Sequence, residues 1–220
     1  MKRTYIYRAT QVEKWRRFCN DEWTTHDDLV ASILGTTETN EAMEFGTTIH
    51  KLIEQTHANQ QPENIADRYD LESLQHCCEL IGKDALLEMP AARVVHEDDA
   101  SIVALRGTAD AVIGTTIVDF KTTLGSITER KIQSYQESMQ WRCYLWLFSA
   151  STFYFVIHQW VESNGVYSIA NQEVVQCDAY EGMQDEVQRN VMQLHNYCMQ
   201  HGIWDLKDQH TTTVGNDNAL

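Results

Sequence analysis

Proline is nearly missing from this chain, at two residues in 220. With no long Gly/Ser/Pro stretch and no internal repeat, an interdomain linker has nowhere obvious to fall. Since 43% of the residues are hydrophobic, a real core can be buried, and one domain is expected over residues 1–204. Its mainly helical part is 1–90, its sheet and further helices are 91–204, and a polar tail, 205–220, frays. The six cysteines, Cys19, Cys77, Cys78, Cys143, Cys177 and Cys198, contain no C-x-x-C pair. Reduced core thiols are therefore expected rather than disulfides or zinc. The opening "MKRTYIYRATQVEKWRR" lacks the continuous apolar core of a signal peptide, and no window approaches the roughly 18 apolar residues of a membrane span. A soluble, cytoplasmic protein follows as the expectation, with no membrane partner.

Positive charge is also scarce, the net charge being −15, which argues against a uniformly basic nucleic-acid surface. Its distribution is uneven. Residues 1–18 hold six Lys/Arg against one acid, Glu13, a balance of +5 that leaves −20 on the remainder. Two readings stand for this arm: a DNA-contacting element with Arg8, Lys14 and Arg17, or a solvated helix face. The aromatics Tyr5, Tyr7, Trp15 and Trp23 nearby either stack on a splayed base or pack in the core.

Hydrophobic spacing supplies the elements. Thr10 and Glu13 form a capping-box pattern opening a helix through about Phe18. Apolar residues recur at helical spacing over 41–57 and again over about 66–88. The pattern then turns β-rich over 93–97, 101–113 and 116–121. A helix is predicted over 129–149, strands over 152–161 and 166–175 around the turn "ESNG", and a last helix, capped by Asp178 and Glu181, that stops near Gly202. The order implies an α/β (α+β) fold with a mixed central sheet flanked by helices and a helical N-terminal region.

Within it, "RGTADAVIGTTIVDFKTTLGS" sets two carboxylates into apparently buried strands. A two-residue turn at Gly114-Thr115 suits type II′. It pairs Ile113 with Thr116 and Val112 with Ile117, and places Asp110 opposite Asp119. Direct partners have Cβ atoms about 4.5–5.5 Å apart, where like charges repel. Lys121, two residues on, points to the same face. Two bare buried carboxylates are costly unless a cation lies between them, and hard oxygen ligands favour Mg²⁺ or Mn²⁺. On pairing geometry alone the alternative stays open that Asp110 is a turn residue and Asp119 and Lys121 a plain ion pair.

"GTADAVIGTTIVDFKTT" resembles the active-site hairpin of the PD-(D/E)XK nuclease superfamily. There an acid on one strand, here Asp110, precedes an acid-x-Lys motif on the next, here Asp119-Phe120-Lys121. "FGTTIHKLIE" resembles the G-x-x-x-H-x-x-x-E helix of the RecB-type branch through Gly46, His50 and Glu54. "SMQWRCYLW" resembles its Q-x-x-x-Y helix through Gln140 and Tyr144. Together the three, in order, cover about residues 43–148. The superfamily's proline before its first acid is replaced by Ala109. Some relatives bind an iron-sulfur cluster through one upstream and three closely spaced downstream cysteines, a pattern Cys177 and Cys198 do not supply, so no cluster is expected.

The resemblance implies a restriction-endonuclease-like fold and a Mg²⁺- or Mn²⁺-dependent deoxyribonuclease. His50, Asp110, Asp119 and the backbone carbonyl of Phe120 would bind the metal, and Lys121 would orient the attacking water or offset transition-state charge. Gln140 would hold Lys121 or the water, Tyr144 would reach a phosphate, and Glu54 would support His50 or simply face water. Arg130, Lys131 and Arg142 are candidate backbone clamps or solvated helix charges. The resemblance further implies an exonuclease acting at DNA ends, similar to phage or mobile-element recombination exonucleases of a bacterial host cell. Such enzymes work beside a single-strand annealing or single-strand-binding protein, and a homo-oligomer is compatible. Two alternatives use the same fold: a structure-selective endonuclease or nickase, and a non-catalytic binding module.

Overall fold

The structure, a computed structural model, describes residues 2–20, 22–60 and 68–207. Alternation is visible from its first strand. In β1, Arg3–Arg8, Tyr5 and Tyr7 are buried while their neighbours are exposed, as a half-buried strand requires. This strand is absent from the sequence-based expectation, as is helix α2, His26–Leu34. That helix is opened by a reciprocal cap between Thr25 and Asp28 and closed by Gly35 at φ 80. Between them, α1 spans Ala9–Cys19. Its cap lies earlier than expected, because the Gln11 side chain accepts from the Arg8 backbone N–H at 2.8 Å and Thr10 is already inside the helix.

Helix α3, Glu41–His57, starts at Asn40, whose side chain accepts from Met43 N. Helix α4 is Leu71–Ile81 and does not run on to residue 88; residues 66 and 67 of the expected helix lie outside the described set. Strand β2, Leu86–Glu97, takes over instead. Then come β3, Ser101–Ile113, β4, Thr116–Thr123, α5, Glu129–Gln136, α6, Met139–Phe148, β5, Thr152–Ser163, β6, Val166–Asp178, and α7, Met183–Gln200. The single helix expected over 129–149 is thus two. Ser138 stands between them in extended backbone and caps α6 by accepting from Gln140 N. Helix α7 begins behind Gly182 at φ 84 without a side-chain cap, so Asp178 and Glu181 do not cap it. The β5–β6 turn has positive φ at both Asn164 and Gly165, the type I′ geometry that suits a hairpin.

The strands form one mixed sheet in the order β1-β3-β4-β5-β6, with β2 also on β3. β1 runs parallel to β3 and β4 parallel to β5, whereas β3/β4 and β5/β6 are antiparallel. Chain contacts define two compact units: residues 1–38, 92–107 and 180–220, and residues 39–91 and 108–179. In the first, Tyr7 accepts from Trp204 Nε1 at 2.6 Å and pairs with His195 Nδ1 at 3.1 Å, so its hydroxyl is satisfied in the core. Trp204 belongs to a helical turn at 203–207, which includes the first three residues of the expected tail; 208–220 lie outside the described residues. In the second unit, Ile49, Leu52 and Ile53 of α3 pack with Leu74, Cys77 and Ile81 of α4 and with Ala111, Val118 and Phe120 of the β3–β4 hairpin. That core holds α3 against the hairpin. Among the described residues no helix is long and apolar enough to cross a membrane.

Candidate active site

Gly46 explains the close approach of α3. A Cβ placed there would lie 3.2 Å from Thr122 Oγ1 on β4, closer than side chains normally pack. Only glycine lets the helix come this near, and one turn later His50 meets the hairpin. Its Nε2 lies 2.9 Å from the Phe120 carbonyl and its Nδ1 3.4 Å from Asp110 Oδ2. A carbonyl only accepts, so Nε2 carries the proton and Nδ1 is aimed at the carboxylate. Between a nitrogen lone pair and a carboxylate oxygen a proton or a cation has to intervene. Burial disfavours a charged His50, yet the hydrogen bond and charge of Asp110 outweigh it and raise the imidazole pKa. For Asp110, likewise, burial opposes ionisation, but His50, Lys121 and the Phe120 amide hold its carboxyl below the usual range.

The hairpin pairs Ile113 with Thr116, Val112 with Ile117 and Ala111 with Val118, the expected register, with Gly114 at φ 58 in its turn. There the regular pairing stops. Asp110 accepts instead from the Phe120 backbone N–H at 2.9 Å. Asp119 is buried; its Oδ1 accepts from Gln140 Nε2 at 3.1 Å, and its Oδ2 lies 2.6 Å from Lys121 Nζ. That contact is a short ion pair. Burial, reinforced by the charge of Asp110, raises the Asp119 pKa despite Lys121. Burial weighs against the Lys121 charge, but Asp119 and Asp110 prevail and its pKa is raised. Removing one partner of such a buried pair costs about 3–5 kcal/mol, because the other charge is stranded.

The break at Ser138 sets α6. From it, Gln140 reaches Asp119 rather than Lys121, and Tyr144 donates to the Thr108 carbonyl at 2.8 Å, two residues before Asp110. The Tyr144 hydroxyl is thereby committed to β3 rather than to solvent. Lys131 donates to Thr123 Oγ1 at 2.7 Å and Arg142 to the Ser138 carbonyl at 2.6 Å, while Arg130 is exposed. Arg8, Lys14 and Arg17 belong to the other unit, where Arg17 is tied to Glu13 at 2.7 Å. There Tyr5, Tyr7 and Trp15 are core residues and Trp23 is exposed.

Glu88, on β2, is the residue that sequence reasoning missed. His50, Glu88 and Asp110 each offer a ligand atom within 4.8 Å of the others. A cleft formed by these three with Glu54, Leu87 and Phe120 contains them. Glu88 has φ 50, a left-handed conformation that costs a non-glycine residue about 1–3 kcal/mol and is found most often at functional positions. Burial, then the charge of Asp110, raises its pKa. Gly82, at φ 73 directly behind α4, was the available signal that the helix stops short of Glu88.

An imidazole nitrogen facing a carboxylate, with a second carboxylate beside it, forms a donor set that suits a hard divalent cation. The profile of the PD-(D/E)XK nuclease superfamily matches residues 19–211, and the chain belongs to that superfamily. Its fold is similar to that of an alkaline exonuclease from Laribacter hongkongensis, at 13% identity, 94% of each chain covered and a TM-score of 0.52. A phage-related exonuclease from Haemophilus somnus 129PT aligns at 12% identity over 94% of this chain and 83% of that one, with a TM-score of 0.46. No curated protein matches the sequence.

Proposed function

We propose that the protein is a metal-dependent deoxyribonuclease of the RecB-type branch that removes nucleotides from DNA ends. The observation that carries this is the convergence of His50, Asp110, Asp119 and Lys121 on one hairpin and one helix, with Nδ1 of His50 aimed at Asp110. The similarity of its fold to that of an alkaline exonuclease supports the preference for ends.

His50, Asp110 and Asp119 would hold Mg²⁺ or Mn²⁺, Asp119 through the Oδ2 that also faces Lys121. When bound, the cation would polarise the scissile phosphate and lower the pKa of a water molecule. Lys121, kept cationic by the two aspartates, would offset the negative charge that grows during in-line attack. Gln140 fixes the Asp119 carboxylate, so that Asp119 presents Oδ2 and not Oδ1. Tyr144 secures β3 just before Asp110 and acts through position rather than by touching phosphate. In the cell such an enzyme would supply single strands to an annealing or strand-binding protein.

The test is incubation with matched linear and closed circular DNA in Mg²⁺, Mn²⁺ or EDTA, beside Lys121→Ala. Loss of the linear DNA alone, abolished by EDTA and by the substitution, is the expected result. Cutting of circles would replace the exonuclease by an endonuclease, and no cleavage under any condition would sink the catalytic reading.

A further inference from the structure

A third element, β2, reaches the proposed cation site beside the hairpin and α3. The Phe120 carbonyl, a ligand by resemblance, is taken by Nε2 of His50 at 2.9 Å. In that role it fixes the imidazole tautomer and points Nδ1 toward Asp110, as partners behind metal-bound histidines do.

Glu88, on β2, offers that site a further carboxylate oxygen. Its carboxylate has no ion pair or hydrogen bond to another described residue, yet it stands within 4.8 Å of the ligand atoms of both His50 and Asp110. Ligands of one Mg²⁺ or Mn²⁺ lie up to about 4.2 Å apart across the ion, so a small rotation of one carboxylate closes the set. The left-handed backbone at Glu88 falls within an otherwise extended strand and next to the cleft. Glu54 lines the same cleft, so three carboxylates share it, with His50 and Lys121 as the charges that act on Asp110.

We propose that Glu88 is a protein ligand of the divalent cation, completing a set with His50 Nδ1 and Asp110. Metal affinity then depends on β2 as well as on the hairpin. The assignment rests on the nuclease reading above, but it concerns a residue outside that family's three motifs.

Mn²⁺ alone is the probe. Free Mn²⁺ is titrated by electron paramagnetic resonance against the full chain, its Glu88→Gln variant and Asp110→Asn, with metal-induced melting shifts recorded in parallel. Glu88→Gln should weaken Mn²⁺ binding by about tenfold or more and shrink the melting shift. The Mn²⁺ concentration for half-maximal cleavage should rise in step. If Glu88→Gln binds Mn²⁺ like the parent while Asp110→Asn does not, Glu88 is no ligand and the nuclease site stands. If neither variant alters binding, the site itself is misassigned and the proposal falls with it. Should Glu88→Gln fail to fold, Glu88→Gly removes the carboxylate while suiting φ 50, and the same outcomes apply.

Discussion

Replacing Gly46 by alanine pits two known effects against each other. At an ordinary interior helix position the change stabilises by about 1 kcal/mol, because alanine costs less backbone entropy. Here the new Cβ would stand 3.2 Å from Thr122 Oγ1. Thr122 is β-branched and stiff at χ1, and its strand is locked by pairing to His158 of β5, so it yields little. Overpacking of this kind costs about 1–3 kcal/mol, giving a net change between neutrality and about 2 kcal/mol of destabilisation. In a Thr122→Ala background the obstructing oxygen is gone, and Gly46→Ala should stabilise by its ordinary ~1 kcal/mol. Denaturant unfolding of the four proteins in this cycle should therefore return a coupling of about 1–3 kcal/mol. Because His50 lies one turn along the same helix, Gly46→Ala should also weaken Mn²⁺ binding, and the second substitution should restore it. Stabilisation of about 1 kcal/mol in both backgrounds would show that Gly46 sets no approach distance, and the account of how α3 delivers His50 would be wrong.

Two more expectations concern buried polar groups beside the site. His158 is fully buried, stacks on Phe120, and has Cys77, Gln172 and His76 as its polar neighbours; burial lowers its pKa to about 4. The unfolded chain binds the proton more readily, so this contribution is intact above the ordinary value near 6.5 and is lost as pH falls toward 4, amounting to about 2 kcal/mol at pH 5. The stability difference between pH 7 and pH 5 should shrink by that amount in His158→Gln, and parallel pH profiles for the two proteins would contradict it. Tyr144→Phe strands the Thr108 carbonyl and should cost about 1–2 kcal/mol of stability, with kcat falling more than KM rises. A change in KM alone, at unchanged stability, would mean that the hydroxyl contacts phosphate.

What the sequence disclosed depended on how local the determining interaction was. Helix α3 and strand β3 match their expected ranges residue for residue, since the periodicity and caps that set them lie within the segments themselves. The register of the β3–β4 hairpin followed from one glycine turn, and with it the meeting of Asp110, Asp119 and Lys121. Strand β1 was missed because its partner, 101–106, is almost a hundred residues away and pairs in parallel; nothing in "RTYIYR" announces that neighbour. The α5–α6 break escaped because no glycine or proline marks it. Ser138 merely takes extended backbone and caps the next helix, yet this break is what directs Gln140 to Asp119 and Tyr144 to Thr108. Glu88 was hidden for the same reason as β1: it enters the site from another strand, with no fixed spacing to the motifs it joins.

Charge follows the same division between local and distant causes. The basic excess of residues 1–18 suggested a surface for DNA, but much of it is answered within its own unit. Arg16 reaches Glu13 and Glu22 at 3.1 and 2.9 Å, Arg17 reaches Glu13 at 2.7 Å, and Lys2 and Arg3 pair with Glu97 and Asp205. The exposed pairs of Lys2 and Arg3 are worth about 0–1 kcal/mol each to stability, yet every pair cancels potential that a phosphate would otherwise feel. At the cleft the balance is more adverse still: Glu54, Glu88 and Asp110 face inward, and the Lys121 charge is shared with Asp119. A carboxylate-lined cleft on a chain of net charge −15 repels the very backbone that a nuclease has to admit. A divalent cation reverses that local sign, so in the proposed enzyme the metal serves binding before it serves chemistry. The same carboxylates that make the empty cleft hostile to DNA are the ones that hold the ion.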